Sequence, residues 1–156
     1  MQSWRYRSVV LLAMTTGCGL IQFDISESLP AATIPGDASG GSLSELQAPV
    51  AIGAQDTGPA DSAKLGALSF TSSSSATFDF VQEIHLFVDS PGLPEVEVAN
   101  LIPVPTAQTT ISLDVIPGVQ LLPYLQAGCT LRSAVTGNAP ASDFTFTGEL
   151  VAHVGI

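Results

Sequence analysis

The chain has 156 residues, a mean hydropathy of +0.41, fourteen acids against four basic residues and a formal net charge of −10. Arg5 and Arg7 take two of the basic positions, so from residue 18 onward Lys64 and Arg132 face all fourteen acids. This balance argues against a nucleic-acid partner, because binding phosphates requires clustered Lys and Arg. It equally argues against docking on anionic lipid through basic patches.

The first elements are read at the N-terminus. Residues 1–7 carry Arg5 and Arg7 and no acid, and Ser8 to Thr16 are apolar or small. A positive start, a short apolar run and small residues at its end make up a secretory signal. The run has roughly half of the approximately 20 apolar residues that cross a bilayer. The residues Thr15-Thr16-Gly17-Cys18 then place small side chains before a cysteine. This stretch resembles the lipobox of bacterial lipoproteins, with Thr15 where that family usually has Leu. The resemblance covers about the first 18 residues. It implies a signal peptide over 1–17, lipidation of Cys18 (a palmitate-type acyl anchor) and a single domain over 18–156. Gly19 is not the Asp that retains well-studied Gram-negative lipoproteins in the inner membrane, so the implied destination is the outer membrane of the cell envelope. Two or three acyl chains make attachment effectively permanent, at roughly 0.8 kcal/mol per buried methylene. The competing reading is ordinary secretion, with Cys18 unmodified and free to pair with Cys129.

Ile21 to Glu27 alternates apolar and polar, the period of a half-buried strand. Residues 28–47 hold Pro30, Pro35, Gly36, Gly40 and Gly41 and are expected to form a Pro/Gly-rich loop or tether. If Ile21 to Glu27 pairs into a sheet, the domain sits close to the membrane. If it is loose, the segment reaches on the order of 95 Å.

Ala48 to Gln55 is a weaker strand with Val50 and Ile52 on one side, followed by a turn-rich stretch to Asp61. Lys64 to Thr71 turns Leu68 and Phe70 inward. Asp79 to Gln82 reads as one helical turn, leading into a strand with Ile84, Leu86 and Val88 on one face and Glu83, His85, Phe87 and Asp89 on the other. Ser90 to Pro94 is a turn by composition, and Glu95 to Asn100 returns as the second arm of a hairpin with a loop of four or five residues. Ile111, Leu113 and Val115 mark another strand. Val119 to Gln126 has helical spacing that Pro123 limits to a short turn. Cys129, Leu131 and Val135 mark a strand ending at the turn Gly137 to Pro140. In the last strand Phe144, Phe146, Leu150, Ala152 and Val154 all fall on even positions.

About seven or eight short strands separated by Gly/Pro turns predict an all-β, antiparallel β-sandwich, with an immunoglobulin-like architecture as first choice. The sole tryptophan, Trp4, lies in the signal, so the Trp-and-disulfide core of antibody domains has no counterpart.

Few residues invite chemistry. His85 and His153 sit on outward positions and have no third ligand between them for zinc. Asp56 and Asp61 share one loop but match no EF-hand spacing, which leaves a weak calcium site as the functional alternative. No Gly-x-Ser-x-Gly elbow or phosphate loop occurs, and Glu95 and Glu97 share one side of a strand, facing water rather than a sugar. No catalysis, metal or cofactor is expected. Cys129 reads as a buried thiol on an inner face. Phe87 is the exception, a large apolar group on a polar face. It marks a possible partner surface, unless a loop covers it or both sides of its strand are buried. The reading is a noncatalytic binding, adhesion or assembly module, attached to the membrane through a lipid anchor, whose partner is an envelope protein or a glycan. The alternative is a secreted carbohydrate- or protein-binding module.

Overall fold

The computed structural model describes residues 22–156, so the expected signal peptide and Cys18 lie outside the described residues. Ten strands and one short helix follow in order: β1 (Gln22–Ile34), β2 (Ser42–Leu43), β3 (Val50–Ile52), β4 (Ser62–Ser72), β5 (Val81–Ser90), β6 (Leu93–Leu101), β7 (Thr110–Ser112), β8 (Asp114–Val115), α1 (Leu122–Ala127), β9 (Cys129–Asn138) and β10 (Phe144–Gly155). They form two sheets. One, sheet A, has the order β1-β10-β4-β7, and the other, sheet B, the order β2-β9-β5-β6-β8 with β3 also paired to β9.

The antiparallel sandwich expected from the strand spacing is what the chain forms. Its connectivity is that of a jelly roll. Taking β2 with β3 as the second strand and β7 with β8 as the sixth gives eight positions in the orders 1-8-3-6 and 2-7-4-5-6, the sixth strand being shared between the sheets through β7 and β8. An immunoglobulin domain keeps its first two strands side by side, whereas here β1 and β2 lie in different sheets. Alternation reports which side chains point inward but not which strand lies alongside, so pairing order was beyond its reach.

Inward rows follow the period of two. Phe144, Phe146, Leu150, Ala152 and Val154 of β10 are buried, as are Ile84, Leu86 and Val88 of β5 and Cys129 and Leu131 of β9. In β4 the inward phase changes from Ala63 and Leu65 to Leu68 and Phe70. A bulge absorbs the change, since Leu65 pairs with Ala152 and Ala67 with Val151, leaving Gly66 unpaired between them. The His153 ring lies directly over Gly66, where any β-carbon would collide with its Nε2. The aromatic centre of the core is Phe146, whose ring meets Phe70 edge-on at 5.5 Å and Phe78 at 6.2 Å.

Several local expectations are corrected. Strand β1 does not end at Glu27 but continues to Ile34, so the Pro/Gly-rich loop anticipated over 28–47 begins at Pro35. The rest of that segment is pinned rather than loose: Leu46 is 2% exposed and its amide donates to Ser133 Oγ at 3.0 Å. This buried leucine, the pairing of β2 with β9 and backbone bonds such as Asp37 N–H to Pro140 C=O and Ala139 N–H to Gly41 C=O hold a segment whose composition reads as a tether. The helical turn at 79–82 is a tight turn closed by Val81 N–H to Phe78 C=O at 3.0 Å. The β5–β6 loop is only Pro91-Gly92, with Gly92 at φ +81° as the third residue of a type II turn requires. Gly137 and Asn138 still belong to β9. The single strand read around Leu113 changes sheets there. Leu113 N–H bonds Leu68 C=O in sheet A, and Ile116 N–H bonds Val98 C=O in sheet B, each at 2.9 Å. Helix α1 is the short turn limited by Pro123, which sits in its first turn where a missing amide costs nothing.

Replacing Phe146 with Ala should lower unfolding free energy by about 3–5 kcal/mol in urea titrations, because a fully buried ring leaves a cavity. Thr147→Ala, one residue on and facing out, should change it by no more than about 0.5 kcal/mol.

Candidate functional site

The structure builds a polar cluster on the outer face of sheet B, where β9, β5 and β6 lie side by side. Alternation in β5 points Glu83, His85, Phe87 and Asp89 away from the core, as expected. Register then supplies the neighbours: Phe87 stands opposite Arg132 of β9 and Glu97 of β6. The ring is half-buried, and the Arg132 guanidinium lies 4.6 Å from its centroid and reaches across β5 to Glu95. There Nε donates to Oε2 at 3.0 Å and Nη2 to Oε1 at 2.8 Å. This bidentate fork suits a planar guanidinium, and the ring beneath adds a cation–π attraction.

The flanking groups complete the face. His85 stacks on Phe87 at 6.4 Å between centroids, and its Nδ1–H donates to Glu97 Oε1 at 2.6 Å. Asn100 Nδ2 donates to the same oxygen at 3.3 Å. The hydrogen bond from Arg132 holds the Glu95 carboxyl below its ordinary range, and the carboxylates of Glu95, Asp89 and Glu45 push the guanidinium up. Glu95 and Glu97 therefore do face outward, but each carries a partner that sequence reading missed. Arg132 was visible only as one of two remaining cations, and nothing in its own strand names Glu95 two strands away.

The other nominated residues are dispersed. His153 lies on the outer face of sheet A, bonded through Nδ1 to Asp24 Oδ1 at 2.6 Å, so the two histidines are on opposite faces of the sandwich and cannot share a metal. Among the described residues no group of three His, Cys, Asp or Glu side chains converges. The Asp56 carboxylate accepts the Gly58 amide of its own loop at 3.0 Å, and the neighbouring Thr57 is buried and accepts from Gln126.

Cys129 is buried, 7% exposed, on the inner face of β9, and burial pushes its thiol up. It lines a gap between the sheets with Ile25, Val88, Tyr124, Ala152 and Glu27. At about 30 Å³ the gap has room for roughly one water, and its lining is apolar. It is a packing gap rather than a substrate site. Glu27 corrects the alternation read from Ile21 onward. By parity it belongs to the inward row of Phe23, Ile25 and Leu29, and the structure leaves it half-buried there, with its carboxyl pushed up by desolvation. An inward charge, Pro30 and the bulge between Leu29 and Ala32 all fall on β1, the edge strand of sheet A. Each discourages a second chain from adding to that edge.

No family model matches the chain, and no curated protein or solved structure matches it.

Two carboxylates should give opposite pH signatures in thermal unfolding. The raised Glu27 contributes stability below about pH 4.5 that is lost as pH rises through its folded value, so Glu27→Gln should raise Tm at pH 7, with the gain gone at pH 4. The depressed Glu95 contributes stability above about pH 4.5 that is lost as pH falls, so Glu95→Gln should lower Tm at pH 7 and match the parent at low pH. Parallel profiles for the two variants would contradict these assignments.

Proposed function

We propose that the chain is a lipid-anchored protein of the bacterial cell envelope, held in the outer membrane through Cys18, whose β-sandwich serves as a noncatalytic binding, adhesion or assembly module. The observation that carries this reading is the start of β1. The strand is paired to β10 from Gln22, four residues beyond Cys18. Four residues span at most about 14 Å, so an anchor at Cys18 holds the domain against the bilayer without a long leash. The lipid carries the attachment by itself. Lys64 and Arg132 are the only cations beyond residue 17, and Arg132 is engaged with Glu95.

Metabolic labelling with palmitate tests the anchor. The parent should take up label and fractionate with membranes, and Cys18→Ser should lose both. Secretion with an unmodified Cys18 predicts the opposite, with two thiols in the unfolded chain or one Cys18–Cys129 disulfide, where lipidation leaves only Cys129 to react. Within this reading the Phe87 face is a partner surface whose Arg132 cover is exposed and therefore easily displaced. Phe87→Ser should keep Tm near that of the parent and weaken recovery of partners crosslinked in intact envelopes. Loss of folding instead would return Phe87 to the core.

A further inference from the structure

The outer face of sheet A differs chemically from the acidic face of sheet B. In the sequence, pairs of hydroxyl residues flanking a single residue recur at Ser26 and Ser28, Ser69 and Thr71, Thr110 and Ser112, and Thr145 and Thr147. The order β1-β10-β4-β7 lays these four pairs side by side. Register aligns Ser28, Glu149, Ser69 and Ser112 in one row across the sheet, and Thr147, Thr71 and Thr110 in the next. The residues between the paired hydroxyls of β10, β4 and β7, which are Phe146, Phe70 and Ile111, are buried and fix the outward set.

The second row lacks its β1 member. Pairing jumps from Leu29 with Gly148 to Ala32 with Phe146, so Thr147 faces the bulge. A hollow of about 330 Å³ opens there, walled by Ser28, Ser69, Thr71, Thr147 and Glu149 over a floor of Leu29 and Gly148. That volume lies at the lower end of the roughly 300–1,000 Å³ of small-ligand sites.

From this arrangement we infer that the hollow is a binding site for a neutral pyranose sugar, with the Glu149 carboxylate accepting two hydrogen bonds from a vicinal diol. An ionised carboxylate accepts only, through two oxygens, which matches a diol offering two hydroxyl protons. The surrounding Ser and Thr hydroxyls both donate and accept, as the remaining sugar hydroxyls do. Threonine is stiff at χ1, so the array loses little freedom on binding. The ligand is neutral, because a chain with fourteen acids repels a uronic acid. Among the described residues no aromatic ring walls the hollow for stacking, so a single sugar binds in about the millimolar range, and useful strength comes from repeated units of a glycan. This inference rests on the binding-module reading and not on Cys18.

Saturation-transfer NMR on the full chain in detergent micelles tests it, with methyl α-D-mannopyranoside and methyl β-D-galactopyranoside as probes. Both carry vicinal diols, and their ring protons should receive saturation from the protein. Glu149→Ala should weaken binding by about tenfold or more, with far-UV circular dichroism unchanged. Glu83→Ala, on the opposite sheet, should bind as the parent does. Absence of transfer to both glycosides, equal transfer with Glu149→Ala, or a preference for methyl glucuronide would each overturn the site. The parent chain separates the two proposals: sugar binding without palmitate label overturns only the anchor, and label without sugar binding overturns only this site.

Discussion

The pairing of β1 with β10 is the constraint on which the rest of the structure depends. It joins Gln22 to Gly155 at one end of the ladder and Ile34 to Phe144 at the other, so the two ends of the described chain lie side by side. With β10 held between β1 and β4, its inward row of Phe144, Phe146, Leu150, Ala152 and Val154 can close over sheet B and exclude water. Apolar burial is the main driving term for such a sandwich. Because the pairing spans more than a hundred residues, its loop closure is costly and its contacts non-local, which places the protein among slow-folding β topologies. The same ladder joins the segment after Cys18 to the core, so any load on an anchor there passes first into hydrogen bonds between these two strands.

The two outer faces divide the chemistry. On sheet B, carboxylates from β5 and β6 flank Phe87, and Arg132 and His85 bind the two from β6, Glu95 and Glu97. On sheet A, hydroxyl groups dominate around Glu149, with the Asp24–His153 bond set toward the Gln22 end of the ladder. A strongly acidic chain that keeps much of one sheet face nearly uncharged separates a repelling surface from one able to meet a neutral ligand. The bulges serve this division directly. The one in β4 lets the His153 ring lie over Gly66, and the one in β1 opens the hollow beside Thr147.

Much of the fold was legible because side-chain period is a local property. Alternation placed Leu68, Phe70, Ile84, Leu86, Val88, Cys129 and the even positions of β10 inward, and they are buried. It failed where a local rule competes with a tertiary contact. The segment after Glu27 looked like a tether because Pro and Gly dominate it, yet Leu46 and Ser133 pin its far end. Glu27 looked like a polar partner in the alternation, yet parity puts it on the inward row. Of the candidate site residues, Phe87 stood out because it breaks the polarity of its face. Arg132 and Glu149 did not, because their significance lies in neighbours supplied by other strands.

The sequence by itself determined the all-β class, the acidic surface, the spacing of strands and turns, and the short interval between Cys18 and the first strand. These depend on residue type and on a period of two, which are read along the chain. The tertiary structure alone decided the jelly-roll order, the passage of one strand from sheet A to sheet B at Leu113, the Arg132 clasp over Phe87 and the hollow at Glu149. Each requires knowing which strand lies beside which and in what register, and pairing between distant segments is set by how the whole core closes.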